Sequence, residues 1–425
     1  DEDVLKKLAN MDEKMHAAEL ADLAVALSNV VRPADYTTAN GVMGNLPYGY
    51  YLVIETENKA NDGSVRSKPI LVSVPDRISG LPDVSVTVKT SSATVEKDIV
   101  LGSKTAKTAE KKIGDFVDFK LTAEVPTYTA NATGITYFLK DTLSKGLDFD
   151  DKTLSVSTSQ GTVIATNNYT VSINPVETGT ELKINFVYNN IKDAGSLIIT
   201  YSAKLNEKAI IGSSGNQNSV TLTYSNNPST ESTYTTPPKR TIVYTTGIKL
   251  TKLDSKNSNK LAGATFGIFS DAACKNSVGF YTYVMTTDET GTHITPTLIQ
   301  SDASGMVVTG DDGIAYFTGL IAGDYYIKEI KAPVGYDLLK EIIHLTISVK
   351  LPDSVVQGNE TAIWTSDNSQ FTNIDGVFHM NVINNKGFQL PGTGGMGTTI
   401  FTLGGIGLVV LSGVLFFVYY KKKHA

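Results

Sequence analysis

The side chains that most often carry chemistry are sparse in this sequence and poorly placed to cooperate. There is one cysteine, Cys274, so no disulfide can close within the chain, and no Cys/His arrangement accompanies it. It reads as a small apolar residue beside a turn. The five histidines, His16, His293, His344, His379 and His424, are scattered, and no pair has metal-ligand spacing. Asp311-Asp312-Gly313 reads as a turn and not as a calcium loop, because the downstream ligands are absent. No nucleophile elbow or phosphate loop is present. The sequence therefore points to no enzyme, and it calls for no cofactor and no metal. A formal net charge of −6 argues against a nucleic-acid partner, which needs a basic face to meet phosphates.

The strongest chemical signal lies at the end. Leu390-Pro391-Gly392-Thr393-Gly394-Gly395 precedes an uncharged run from Met396 to Tyr420, which is followed by Lys421-Lys422-Lys423. As a helix rising about 1.5 Å per residue, such a run crosses a hydrocarbon core of roughly 30 Å. The lysines then sit on the cytoplasmic side, and everything before the run lies outside. The hexapeptide resembles the LPxTG signal read by sortases, and that resemblance gives its residues roles. Leu390 opens the signal, and Pro391 forces an extended, kinked segment that fits a groove. Gly392 fills its variable position. Gly394 leaves the Thr393–Gly394 bond open to a sortase cysteine, and Thr393 becomes the acyl donor through a thioester. The expected location is the cell wall of a Gram-positive bacterium, with a membrane-spanning precursor. The chain starts with Asp1 and shows no basic and apolar leader, so the expectation is that a signal peptide and some folded sequence have been removed.

The elements that must carry any site are strands. With 425 residues, 41% of them hydrophobic, the chain is long enough for about two to four packed domains. From about residue 83 short alternating runs dominate, such as Val84–Val88, Leu182–Tyr188, Leu197–Tyr201, Val220–Tyr224 and Ile248–Thr251. They are rich in β-branched and aromatic residues and bounded by Gly, Asn, Asp or Pro. The fold class expected is mainly β, with tandem immunoglobulin-like β-sandwich domains. The front is an exception: Leu5, Leu8, Met11, Met15, Ala18, Leu23 and Leu27 recur at helical spacing between Asp3 and Val30. Gly49–Glu55 reads as a strand. Gly80-Leu81-Pro82 and Thr236-Pro237-Pro238-Lys239 read as boundaries.

Three pieces toward the C-terminus lie in order. Thr251-Lys252-Leu253-Asp254 precedes Leu261-Ala262-Gly263-Ala264-Thr265-Phe266. Next come Gly323–Tyr336, containing Glu329-Ile330-Lys331-Ala332-Pro333-Val334-Gly335-Tyr336, and Val382-Ile383-Asn384-Asn385-Lys386. Over about 140 residues they resemble the collagen-adhesin B-type (CnaB-like) domain of Gram-positive pilins and adhesins. The resemblance implies a self-formed isopeptide bond from Lys252 to Asn384, with Glu329 assisting and Asn385 as the neighbouring alternative. Burial supports that chemistry, because it disfavours a lysine ammonium and a carboxylate alike.

The middle segment is similar to the collagen-adhesin A-type (CnaA-like) domain of backbone pilins. The residues that carry this are Thr94-Val95-Glu96-Lys97, Ile113–Phe119, Asp141–Leu147 and Asn216–Asn226. The implied trio is Lys97, Asp141 as the acid, and Asn218, with Asn216 and Asn226 close enough to compete. Such links would replace disulfides that one cysteine cannot supply.

A shaft pilin also needs an acyl-accepting lysine. Lys89 falls where the family places it, although Thr87-Val88 replace Tyr-Pro and Thr90 replaces Asn. The resulting layout is a truncated N-terminal domain over 1–82, an A-type sandwich over 83–240, a B-type sandwich over 241–389 and the sorting signal, transmembrane helix and basic tail over 390–425. It resembles the backbone pilin of a sortase-assembled pilus. The partners implied are a class C-type pilus sortase and a housekeeping sortase, further copies of the chain, minor pilins, peptidoglycan and host surface ligands. The alternative is a monomeric wall-anchored adhesin.

Overall fold

The computed structural model describes residues 17–28, 34, 36–38, 41–55, 63–65, 69–75, 83–85, 91–128, 132–227, 232–287, 294–301, 305–356, 360–387 and 396–423. Strands dominate them, as the period-2 alternation requires. Lys89 and the sorting hexapeptide Leu390–Gly395 lie outside the described residues. At the front, the helix Ala17–Ser28 lies against the strand Ile70–Val74, which pairs antiparallel with Gly49–Val53.

The next unit is a sandwich. One sheet runs in the order Lys104–Ala106, Val95–Leu101, Phe116–Glu124, Ser196–Leu205, Leu147–Thr158. Across from it stand Gly212–Asn227, Tyr137–Ser144, Gly179–Phe186 and Tyr169–Val176. Alternate residues point inward: Val117, Phe119 and Leu121 on one side meet Leu139, Leu182 and Leu222 on the other, all fully buried. The same alternation carries Lys97 and Asp141 inward with them.

The following unit repeats the plan. Ile314–Leu320 and Val377–Asn384 flank one strand, the first antiparallel and the second parallel. The facing sheet runs Met306–Val308, Thr265–Phe269, Gly323–Lys331, Ile343–Lys350, Ile363–Ser366. Leu250, Phe266, Ile327, Phe317 and Phe378 fill the space between them.

One strand belongs to both units. Lys239–Asp254 runs 16 residues without a break. Its first part pairs with Gly212–Val220, and from Thr246 onward it pairs with Ile314–Leu320 and Val377–Asn384. Val243 packs into the first core, whereas Ile242 and Tyr244 pack into the second. The Pro237-Pro238 pair, which reads as a boundary in the sequence, lies just ahead of this strand and after the short strand Ser232–Thr235. The strand that follows carries the chain from one core to the next with every residue in the ladder or beside it.

At the end, Met396–Lys423 is a single helix. Its stretch Thr402–Lys423, 22 residues, is long and apolar enough to cross a membrane, and its side chains are exposed.

Phe317 is fully buried and meets the ring of Phe280 edge-on at 4.7 Å. Phe317→Ala is expected to cost about 3–5 kcal/mol, through lost burial and the cavity left behind. Urea unfolding should show a lower midpoint at unchanged slope. A change no larger than that of a surface substitution would place this ring outside the core.

Candidate functional sites in the two sandwich cores

Two lysines lie in the interiors, and each lies beside a carboxyl group and an asparagine. In the last unit Lys252, Glu329 and Asn384 are buried, the first two completely. Lys252 and Asn384 sit on the paired parallel strands, with Lys252 opposite Val382 and Asp254 opposite Asn384. Successive inward positions therefore bring the two side chains together, and Lys252 Nζ donates to Asn384 Oδ1. Glu329 reaches in from the facing sheet. Its Oε1 lies 3.1 Å from Lys252 Nζ, and its carboxyl accepts from Asn384 Nδ2 at 3.0 and 3.1 Å. The backbone N–H of Leu339 also donates to Glu329 Oε2, at 2.6 Å. Asn385 is exposed and faces away.

Burial drives the lysine toward its neutral form. It pushes the Lys252 amine below its ordinary value, against the opposing pull of Glu329. An uncharged amine held against a carboxamide, with a carboxyl group touching both, can form an amide and release ammonia. Proximity supplies much of the rate for such a step.

The middle site uses different elements. Lys97 comes from Val95–Leu101, and Asp141 from Tyr137–Ser144 in the opposite sheet. Lys97 Nζ donates to Asp141 Oδ1 and Oδ2 at 2.8 and 2.7 Å. Both side chains are fully buried. The ammonium also lies 5.1 Å from the centre of the Phe119 ring and 5.3 Å from that of Tyr201. Burial pushes the Lys97 amine down to about 8, with Asp141 pulling the other way.

The structure separates the competing asparagines. A bulge interrupts the pairing of Gly212–Asn227 with Lys239–Asp254 between Gly212 and Asn216. Gly215 sits there at φ +64°, where a Cβ would stand 2.5 Å from Ile242 and 2.7 Å from the Tyr244 ring. This close approach requires glycine. Beyond the bulge, Asn216 spends its amide on the backbone: Oδ1 accepts from Ile210 N–H at 2.8 Å, and Nδ2 donates to Ile210 and Val243 carbonyls at 3.0 and 3.2 Å. Asn226 is half-buried near the far end of the strand. Asn218 is fully buried and diagonal to Asp141, which pairs opposite Val220. Its Nδ2 donates to the Tyr201 hydroxyl at 2.7 Å.

Tyr201 is the member of this cluster that the sequence did not single out. It stands in the inward phase of Ser196–Leu205, so alternation marks it as a core residue and nothing more. Among the described residues, no three His, Cys, Asp or Glu side chains gather as a metal site.

The chain matches three family models. Residues 113–228 match the Gram-positive pilin backbone subunit 2, Cna-B-like domain. Residues 246–361 match a prealbumin-like fold domain, and residues 383–425 the LPXTG cell wall anchor motif. The first model names a B-type module where the sequence resemblance is to the A-type; the positions of Lys97, Asp141 and Asn218 in the core are the same under either name. The trypsin-resistant surface T6 protein of Streptococcus pyogenes serotype M6 is 27% identical over 282 residues, 61% of this chain and 47% of the relative. The chain thus spans about half the length of that relative. The solved T6 backbone pilin of serotype M6 Streptococcus pyogenes shares the fold, with TM-score 0.53 and 22% identity over 81% of this chain and 82% of that one.

In an Asn218→Ala variant Lys97 stays a free amine whatever chemistry the site can do. Its folded value of about 8 lies below its ordinary 10.5. Between these values the unfolded chain holds a proton that the fold does not, so stability should rise with pH across that window. The urea midpoint of this variant should climb from about pH 8 upward. Adding Lys97→Met should flatten the climb; a flat or falling profile before that addition would mean that Lys97 keeps its charge in the fold across that window.

Proposed function

We propose that this chain, whose domains are those of the Gram-positive backbone pilins, is the repeating shaft subunit of a pilus joined covalently from copy to copy. The anchor motif and the apolar helix place it on the cell wall, after a precursor that spans the membrane. In this reading a pilus sortase cleaves between Thr393 and Gly394 and holds Thr393 as a thioester. A lysine of the next copy then takes the acyl group, and Lys89 is the candidate acceptor. A housekeeping sortase moves the finished fibre to peptidoglycan, and minor pilins and host surface ligands complete the adhesive structure. The divisions 1–82, 83–240, 241–389 and 390–425 are the corresponding modules.

The observation that carries this reading is the buried cluster in which Lys252 and Asn384, on the first and last strands of the final sandwich, meet Glu329 from the facing sheet. There the Lys252 amine attacks Asn384 Cγ, the Cγ–Nδ2 bond breaks, and ammonia leaves. The product is a neutral amide in place of a costly buried charge pair. Lys97 and Asn218 make the second link, with Asp141 as the acid. Lys252 and Asn384 are 132 residues apart, and on the loop-entropy model such a tie is worth on the order of 4–5 kcal/mol. It also connects the first strand to the last, so tension along a fibre passes through covalent bonds and bypasses the core. These links form once, in maturation, and the chain turns over no substrate.

The full chain made in a host without sortase should weigh less than its sequence mass by two ammonia molecules. Glu329→Ala and Asp141→Ala should each restore one. A deficit of one, mapped to Lys252–Asn384, would sink the middle assignment; no deficit would sink both.

Polymerisation is tested separately in cells. Thr393→Ala should abolish the high-mass ladder in wall extracts, and Lys89→Ala should abolish the ladder while leaving single wall-linked chains. A wild-type chain found only as a wall-linked monomer would make it a lone adhesin.

A further inference from the structure

The two clusters differ in how the acid meets the amide. Glu329 touches both the Lys252 amine and the Asn384 amide nitrogen. Asp141 is bonded to the Lys97 amine, and the Tyr201 hydroxyl stands between Asp141 and Asn218. This hydroxyl donates to Asp141 Oδ2 at 2.5 Å, accepts from Lys97 Nζ at 3.0 Å and accepts from Asn218 Nδ2 at 2.7 Å. One donor and two acceptor positions are all that a phenol has, and every one faces a member of the trio. The ring is held as well: Phe119 and Phe149 pack on it at 5.4 and 5.2 Å between centres, and the side chain is buried.

We propose that Tyr201 is a catalytic residue of the middle cross-link, carrying a proton from Asp141 to the departing nitrogen of Asn218. This rests on the reading that Lys97 and Asn218 become joined. The step balances as follows. Neutral Lys97 Nζ attacks Asn218 Cγ, and the Nζ–Cγ bond forms. Asp141 takes one proton from the attacking nitrogen. Tyr201 accepts a proton from Asp141 while giving its own to Nδ2. The Cγ–Nδ2 bond breaks, ammonia leaves, and Asp141 and Tyr201 return to carboxylate and phenol. Burial and the Asp141 charge hold the phenol well above its ordinary 10, so Tyr201 passes a proton through without resting as phenolate. In the last unit Glu329 touches both nitrogens and needs no such bridge.

The test is cell-free synthesis of the full chain in detergent, sampled over time, with the Lys97–Asn218 and Lys252–Asn384 cross-links mapped by peptide mass. Tyr201→Phe keeps the ring and removes the hydroxyl. It should slow the first link by about 10²-fold or more and leave the second unchanged, with wild-type resistance of the middle sandwich to limited proteolysis reporting that this unit has folded. Placing fluorinated tyrosines at position 201 alters phenol acidity with little change in shape, and the rate of the first link should follow that acidity. Equal rates for wild type and Tyr201→Phe would overturn the relay. So would a slow Tyr201→Phe alongside fluorinated chains that all react at the wild-type rate, since the hydroxyl would then only hold the site together. A wild-type chain that never joins Lys97 to Asn218 would overturn the underlying reading instead, and mapping tells the two failures apart.

Discussion

Everything distinctive in this protein depends on an amine placed where an ammonium is expensive. Moving a lysine charge out of water costs several kcal/mol after relaxation, and a single carboxylate partner returns only part of it. Lys97 and Lys252 are both completely buried, among Phe119 and Tyr201 in one core and beside Phe266 in the other. The apolar surroundings that disfavour the charge also make the nitrogen a nucleophile. The proposed conversion to an amide would remove the charges and leave the core intact.

The two cores reach that arrangement by different routes. In the last unit the lysine and asparagine lie on neighbouring parallel strands of one sheet, and the glutamate comes from the opposite sheet. In the middle unit the lysine and tyrosine belong to one sheet, and the aspartate and asparagine to the other. A link in the first case fastens two strands side by side, whereas in the second it fastens two sheets through the core. The shorter aspartate side chain fits the second geometry, in which the Tyr201 hydroxyl spans the distance to Asn218.

The joint between the units follows the same logic of continuity. Lys239–Asp254 contributes to both cores, and Lys252 lies near its end. Further contacts close the joint. Tyr244 donates to the Glu360 carbonyl at 2.6 Å, Arg240 pairs with Glu360 at 3.0 Å, and Ser213 N–H donates to the Asp375 carbonyl at 2.8 Å. The strand that enters the last unit thus carries the lysine that meets Asn384 on the final strand, so the proposed tie would lie directly in the path of force arriving from the middle unit.

Much of this was legible in the sequence because the signals are local. An uncharged run flanked by Leu390–Gly394 and three lysines specifies its own destination through hydrophobic thickness and charge. Period-2 alternation specifies strands, and the phase of each strand marks Lys97, Asp141, Lys252 and Glu329 as inward-facing. Tertiary structure alone shows which of Asn216, Asn218 and Asn226 stands beside the Lys97–Asp141 pair, because that turns on a bulge at Gly215 and on pairing with strands far away in the chain. It also decided that the residues after Pro237-Pro238 form one strand shared by two cores, since proline marks a local break and says nothing about which distant edges its neighbours will join. Tyr201 belongs to the same class. Its burial follows from alternation, but the three partners of its hydroxyl come from three other strands, and only the packing of one sheet on another brings them within hydrogen-bond reach.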